Sequence, residues 1–517
     1  MTSEIGVLLT KIKAVARSLK ANRPTRSTST IELPAPPARD VAERMAQLYF
    51  GSFEACFRIL HAPSFWKEFL TFWDQPQSLK LEQRLRILIV IGLGSSLCTT
   101  EERGRGGLEE KVYHWIYASE TWLSGPLEKD RLTIAGIQLH CLLILVRQAF
   151  SIGGDLVWTS VGSLVHRAMQ IGLHRDPKHL QGMSVLEAEL RRRLWATILE
   201  LAVQASLDSA MPPRISLDEF DTEAPLNIDD ADLDTNSPGT IEPKTGFAST
   251  SVQRALLESF PNRLRVVQRL NSLRSALSYS DTLKLSEEIM GICRAHNQFM
   301  KDHSNAGMTA FHRNMLDYLV RRLLIPLHCS FANEARTNPV FYSSLKTNLD
   351  TAISIISPEP DEGYTQLMLI GGGMFREGLR YANTVIGLEI IAEAEAQGQI
   401  GGFRAGSTAY IDYLKKLIHI MMDLAAKRVA HGESNVKSHM FMKMILAQVS
   451  CIERGVPCEH EVAQGARESL QLCYDVLKER AGTFPLPSPS VGIADIDWND
   501  QWAGFDLGFF LYDSESL

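Results

Sequence analysis

Apolar residues recur every three or four positions along most of this chain, and this spacing predicts amphipathic α-helices. The clearest helix follows Ser184, because a glutamate three residues later completes a capping box. Its expected buried face consists of Leu186, Leu190, Leu194, Ile198, Leu201 and Ala205. The alternation typical of β-strands is scarce. We therefore predict an all-α fold, a large irregular helical array of antiparallel helix pairs.

Charged residues on this helix are expected on its exposed faces. Glu187 precedes Arg191 by four residues, a spacing at which an ion pair contributes about 0.3 kcal/mol. Glu189 and Arg193 have the same spacing. The sequence thus favours solvent exposure of the three consecutive arginines, with the two glutamates as their partners.

Glycine and proline mark where other helices end or bend. The helical period before Gly172 stops there, because glycine readily adopts the left-handed conformation of a helix cap. Gly371–Gly373 is interpreted as a helix junction, since the GK[ST] sequence of a phosphate-binding loop does not follow it. Pro326 is predicted to kink the helical run that contains it.

Changes in composition divide the chain into six segments. Proline, glycine, serine and threonine are concentrated in two of them, which we interpret as linkers. In chain order, we predict a basic amphipathic helix (1–26), a proline-rich linker (27–38), a first helical half (39–235), an internal linker (236–260), a second helical half (261–484) and an acidic aromatic tail (485–517).

The composition is that of a protein with a large buried core. Of its 517 residues, 45% are hydrophobic and 22% are charged. A net charge of −7 argues against nucleic-acid binding over most of the surface, so any basic element must be local. The N-terminus lacks the features of a secretory signal, and the most apolar segments are too short or too polar to span a membrane. The eight cysteines form no CxxC pair, which indicates buried thiols.

The N-terminal helix is the local basic element. Its six candidate nucleic-acid contacts are Lys11, Lys13, Arg17, Lys20, Arg23 and Arg26. These side chains could contact phosphates or a nuclear-import receptor. A solvated coiled-coil or surface helix is an equal alternative on the sequence alone.

The C-terminal tail combines acidic and aromatic residues. Its candidate partner-binding side chains are Trp498, Trp502, Phe505, Phe509 and Phe510. Acidic neighbours keep such aromatic groups in water, so that a coactivator groove can bind them as the segment folds. The alternative is a tail that packs on the body of the protein.

Motifs of common enzyme classes are absent from the sequence. It contains neither a GxSxG elbow nor an HExxH pair. The sequence His174-Arg175-Asp176 follows a helix end and is interpreted as a structural cap in which Asp176 pairs with a neighbour. The acidic run 218–234 lacks the ligand spacing of a calcium loop and is interpreted as a solvated connector. We therefore expect no catalytic and no metal-binding residues.

Several segments, taken in order, resemble the regulatory middle region of fungal zinc-cluster transcription factors. The likeness spans about residues 40 to 400 and rests on the combination of the motifs. The segments are Arg58–Phe65, Ala168–Pro177, Glu189–Trp195, Ser206–Asp208, Pro213–Ile215, Leu323–His328 and Asn338–Tyr342.

The resemblance implies a nuclear regulator of RNA polymerase II transcription with a helical regulatory domain. Its expected partners are the transcription machinery or a coactivator, a zinc-cluster relative and a second copy of the chain, with DNA bound only weakly or through a partner. The family normally carries zinc in a six-cysteine cluster. The first cysteine here is Cys56, within the helical region, so we expect no cofactor in this chain, through truncation of the gene model or through genuine loss. Two alternatives are a DNA-free modulator of full-length relatives and a helical body recruited as a biosynthetic enzyme.

Overall fold

A computed structural model describes residues 2–21, 33–104, 107–125, 131–233, 242–274, 276–400 and 405–482. These residues form α-helices, short 3₁₀ turns and loops, with no strand among them, which confirms the all-α prediction. The first ten helices are α1 Thr2–Ala21, α2 Arg39–Phe50, α3 Phe53–Phe57, α4 Ala62–Asp74, α5 Leu81–Ser95, α6 Thr100–Gly104, α7 Leu108–Leu123, α8 Ile134–Ala149, α9 Val157–Gln170 and α10 Val185–Asp208. The next ten are α11 Ser251–Leu270, α12 Tyr279–Asp302, α13 Ala310–Arg321, α14 Leu324–Glu334, α15 Tyr342–Ile356, α16 Glu362–Ile370, α17 Gly372–Ile400, α18 Ala405–Ala430, α19 Lys437–Arg454 and α20 Glu459–Ala481.

The helices divide into two compact units, and the division differs from the predicted halves. The larger unit contains α2 to α16 and α17 up to Ile386, and the smaller contains α1, α17 from Gly387, and α18 to α20. The segments 39–235 and 261–484 are therefore not separate bodies, because α11 packs directly on α10. The linker predicted at 236–260 also ends early, since α11 begins at Ser251, whose hydroxyl accepts a hydrogen bond from the Ala248 backbone N–H.

Three buried helices, α5, α8 and α10, form the centre of the larger unit. Every residue from Leu85 to Ser95 of α5 is buried, as is every residue from Gly136 to Ala149 of α8. Helix α5 packs against α2, α7 and α8, and α10 packs against α8, α9 and α11. The close approach of α5 to α2 occurs at Gly94, where a side chain would overlap the backbone of α2.

Three helix ends follow the local sequence rules, including the junction at Gly371–Gly373, where α16 ends and α17 begins. Ser184 and Glu187 form the predicted capping box at the start of α10. Gly172 has φ of +77°, and the Leu173 N–H donates to the Ala168 carbonyl as in a left-handed C-terminal cap. The predicted kink at Pro326 is wrong, because the run is interrupted between α13 and α14. Pro326 then lies in the first turn of α14, where a missing N–H removes no intrahelical bond.

Helix α1 buries one apolar face in the smaller unit. Leu8, Ile12 and Val15 are buried, and α1 packs along α20, which in turn contacts α18 and α19. The apolar face of α1 therefore forms part of a folded core. Further core residues of this unit are Val429, Val436, Met440, Met444, Val462, Ala466, Leu470, Cys473 and Leu477.

Buried histidines in the larger unit make its stability depend on pH. Burial lowers the pKa of His140 to about 3 and the pKa of both His296 and His328 to about 4. Burial acts oppositely on a carboxyl group and raises the pKa of Glu54 to about 7. Between pH 6.5 and 4.5, unfolding thus lets three imidazoles bind protons, whereas one carboxyl group loses its proton.

We expect the free energy of unfolding of the larger unit to decrease as the pH falls from about 6.5 to 4.5. Each proton taken up on unfolding contributes about 1.4 kcal/mol per pH unit, so three histidines outweigh one glutamate. Urea unfolding followed by circular dichroism at several pH values measures this slope. His140→Asn should reduce the slope, and the exposed control His166→Asn should not. A midpoint that rises on acidification would contradict the expectation.

Candidate functional site

Helix α10 carries a row of polar side chains on one of its buried faces, and we call this row the ionic stripe. Its members are Arg193, Thr197, Glu200, Gln204 and Asp208. Their spacing of three or four residues places them on one face of the helix. Each of these side chains has at least one polar partner from another element, which lowers the cost of burying it.

The N-terminal end of the ionic stripe binds the acidic segment, residues 218–233, and we call this contact around Asp230 the first clamp. One carboxylate oxygen of Asp230 accepts hydrogen bonds from Arg58 and from Arg193 Nη1, the latter at 2.6 Å. The other oxygen accepts from the Ala62 backbone N–H at 2.8 Å. Burial alone would raise the pKa of Asp230, but the two guanidinium groups and the N–H outweigh burial and lower it.

A second clamp holds the same segment to the loop after α9. Asp176 accepts two hydrogen bonds of 2.9 Å from Arg192 and one of 2.9 Å from the Glu223 backbone N–H. Burial would raise the pKa of Asp176, but these donors lower it to about 2. Glu189, also buried, accepts from the Leu226 backbone N–H at 2.8 Å. The acidic segment is therefore bound to the body through backbone and side-chain contacts.

These contacts correct three predictions. Arg193 and Glu189 are fully buried and are not exposed partners of each other. Asp176 does cap the 3₁₀ turn Pro177–His179, but its ionic partner is Arg192 and not an adjacent residue. The segment 218–234 is not simply a solvated connector, because Asp230 lies in the core. In each case a distant partner replaces water around the charge.

The middle of the ionic stripe is an arginine–glutamate pair between α10 and α11. Arg263 Nη1 and Nη2 donate to the two oxygens of Glu200 at 2.9 and 2.6 Å. Arg263 Nε donates to the Ser259 hydroxyl at 2.8 Å. Both members of the pair are buried, with side-chain exposures of 0% and 6%. This pair fixes α11 against α10.

The C-terminal end of the ionic stripe contacts Arg322, the residue that follows α13. Arg322 donates to Asp208 at 2.7 Å and to the amide oxygen of Gln204. The Arg322 guanidinium also lies 5.1 Å from the centre of the Tyr318 ring, within range of a cation–π contact. Tyr318 in turn lines a neighbouring cleft. The stripe thus extends from the acidic segment to the wall of this cleft.

The cleft lies between α12, α13, α15 and α16 and has a volume of about 570 Å³. Met300, Ile355 and Tyr364 are buried residues that line it. Arg313 and Arg321, on α13, also line it, and each of them binds a carboxylate. Most of the other lining residues are polar, so the cleft has a mixed polar and apolar surface, and its volume lies in the range of small-molecule sites.

The structure describes only some of the residues predicted from the sequence as binding sites. On α1, Lys11 and Arg17 are exposed and Lys13 is half-buried. Lys20 lies on the last turn of the same helix, and Arg23 and Arg26 lie outside the described residues. The tail aromatics Trp498, Trp502, Phe505, Phe509 and Phe510 are also outside the described residues. Both predictions remain untested by the fold.

Neither a metal site nor a membrane span is found where the structure can be examined. Within the described ranges, no three His, Cys, Asp or Glu side chains come together in a way that could hold a metal ion. None of the helices described there has both the length and the hydropathy that a bilayer crossing requires. Six of the eight cysteines are buried, as expected, and Cys329 and Cys458 are half-buried.

Comparison with known proteins connects the clamps to a protein family. Residues 46–309 match the fungal specific transcription factor domain. The chain belongs to this family. Three of the segments that resemble the fungal regulatory region supply the residues of both clamps: Arg58 comes from the first, Asp176 from the second, and Arg192 and Arg193 from the third. In this family member, these segments therefore converge on the acidic segment.

Individual relatives support the same assignment. The chain is 39% identical to "Transcription factor asR3" of Sarocladium schorii over 97% of its own length and 64% of that protein. It is 31% identical to "Transcription factor opdR" of Penicillium oxalicum, with 99% and 69% covered. It is 28% identical to "Aspyridones cluster regulator apdR" of Emericella nidulans, with 79% and 57% covered. The chain thus spans about two thirds or less of the length of these relatives.

Proposed function

We propose that this protein is a nuclear regulator of RNA polymerase II transcription and that it does not act as an enzyme. One observation carries the proposal: three family segments, the first of which precedes the other two by more than 100 residues, hold one acidic segment in the helical body. The charged residues around Asp176 and Asp230 are engaged with one another, which fits a structural role for these charges. The helical body then serves regulation, as in relatives named transcription factors.

The proposed regulator acts on a gene cluster for a small molecule. Support comes from relatives whose names identify them as regulators of the aspyridone, fusarisetin A and equisetin clusters. The acidic aromatic tail, residues 485–517, would recruit a coactivator, since clustered aromatic side chains among acidic residues suit a groove that binds a folding segment. Lys11 and Arg17 on α1 would add a weak, sequence-independent contact to DNA phosphates.

The recruiting role of the tail can be tested with the whole chain fused to a foreign DNA-binding domain in a fungal reporter strain. The fusion should activate the reporter. Changing Trp498, Trp502, Phe505 and Phe509 to Ala should reduce activation to the level of the foreign domain alone, because the aromatic groups supply most of the binding energy.

Two controls make the result interpretable. Leu273→Ala changes a fully exposed apolar residue of the body and should leave activation unchanged. Immunoblotting should show equal amounts of all fusions. Equal activation with and without the four tail aromatics would refute the recruiting role, and a fusion that represses the reporter would refute activation itself.

A further inference from the structure

The cleft between α12, α13, α15 and α16 contains more positive than negative charge. Its lining includes three cationic side chains, Lys301, Arg313 and Arg321, and two anionic ones, Asp317 and Glu359. A ligand is expected to form its ion pair with a side chain that has no partner yet, because a charge that is already paired binds a new partner only weakly.

Both carboxylates in the cleft are bound by arginine. Arg313 donates to the two oxygens of Glu359 at 2.7 and 2.6 Å, and its third nitrogen donates to the Met308 carbonyl. Arg321 binds both oxygens of Asp317, one of them at 2.7 Å. These two-point pairs hold their side chains in place. They leave neither carboxylate free to neutralise a further cation.

Lys301 is the remaining cation of the cleft. It lies in the last turn of α12 and is exposed. In the part of the chain that the structure describes, no carboxylate lies within ion-pairing distance of its ammonium group. The cleft therefore presents one uncompensated positive charge at its rim, beside a wall formed by Met300, Ile355, Pro358 and Tyr364.

We propose that this cleft binds a small organic anion with an apolar body. The acid group, a carboxylate, enolate or sulfonate, would lie at Lys301, and the apolar part would contact Met300, Ile355 and Tyr364. A cavity of about 570 Å³ accommodates a drug-sized molecule. A cationic ligand is disfavoured, because it would meet the surplus charge, and the arginine pairs leave no carboxylate to receive it. The proposal does not depend on the role of the tail.

The probe for the test is 8-anilinonaphthalene-1-sulfonate, an aromatic monoanion, and its uncharged analogue is N-phenyl-1-naphthylamine. Fluorescence titration of the full chain should show saturable binding of the sulfonate, with one site per chain by equilibrium dialysis. Lys301→Gln should weaken sulfonate binding about fivefold and leave the uncharged analogue within twofold, because only the former has a charge for the lysine to bind. Lys284→Gln, an exposed lysine of the same helix outside the cleft, is the matched control and should change neither affinity.

A second variant tests the location. Ser357→Trp places a large side chain at the exposed edge of the cleft and should reduce binding of both probes at least tenfold, with circular dichroism confirming that the variant is folded. Unchanged binding in Ser357→Trp would show that the probes bind elsewhere and would overturn the site. Loss of binding in Ser357→Trp but not in Lys301→Gln would overturn the preference for an anion.

Discussion

Replacing Arg263 by Met is expected to lower the free energy of unfolding of the larger unit by about 3–5 kcal/mol. Arg263 is fully buried and binds both oxygens of Glu200. Methionine fills much of the same space but provides no donor, so the Glu200 carboxylate would remain in the core without its counter-charge. The cost of an unpaired buried charge exceeds that of the lost hydrogen bonds. Urea unfolding monitored by circular dichroism measures the change.

Two further variants isolate the cause of this loss. Arg265→Met alters the same helix, but Arg265 is exposed and its partner Glu288 is half-buried, so a change below about 0.5 kcal/mol is expected. Combining Arg263→Met with Glu200→Gln removes the unpaired negative charge of Glu200 and should recover part of the lost free energy of unfolding. Equal losses in the Arg263 and Arg265 variants would show that burial of the pair is not the reason.

Gly94→Ala should destabilise the larger unit by at least about 3 kcal/mol. A Cβ atom on Gly94 would lie 1.8 Å from the backbone oxygen of Met45, well inside the contact distance of the two atoms. The obstructing atom belongs to the backbone of α2, so no side-chain rotation relieves the overlap. Helices α2 and α5 must then separate, which breaks the packing of two central elements.

Gly162→Ala is the matched control for this prediction. Gly162 also lies within a helix of the larger unit, but no atom comes within 4 Å of the position of its Cβ. Alanine should stabilise this helix by about 0.5–1 kcal/mol, because glycine loses more backbone freedom on folding. Thermal unfolding of the two variants should therefore shift in opposite directions. A loss at both positions would indicate that steric overlap at Gly94 is not decisive.

Local signals in the sequence were sufficient to predict the helices, but they did not predict the ionic stripe. The capping box at Ser184 and the left-handed cap at Gly172 depend on residues within one turn, and both were predicted. The partner of Arg193 lies 37 residues away, in a segment without helical periodicity. Charged residues on a helix are usually solvated, so pattern alone assigns Arg193 to the surface.

The cleft could not be predicted from the sequence either, because its residues are also far apart along the chain. Its walls come from four helices and the loop after α15, and no short stretch of sequence contains more than a part of it. The Arg321–Asp317 pair could be inferred from its four-residue spacing, whereas Arg313 and Glu359 are 46 residues apart. Only the three-dimensional arrangement shows which charges of the cleft are paired and that, among the described residues, no carboxylate pairs with Lys301.

The long separation between Arg58 and Asp230 has a consequence during protein synthesis. When the last residue of α10 is added to the growing chain, Arg58, Arg193 and Glu200 have been made, but their partners Asp230 and Arg263 have not. The nascent N-terminal part cannot close its core over these charges without leaving them unpaired. The buried ion pairs of the larger unit can therefore be completed only after translation has reached Arg263, the thirteenth residue of α11.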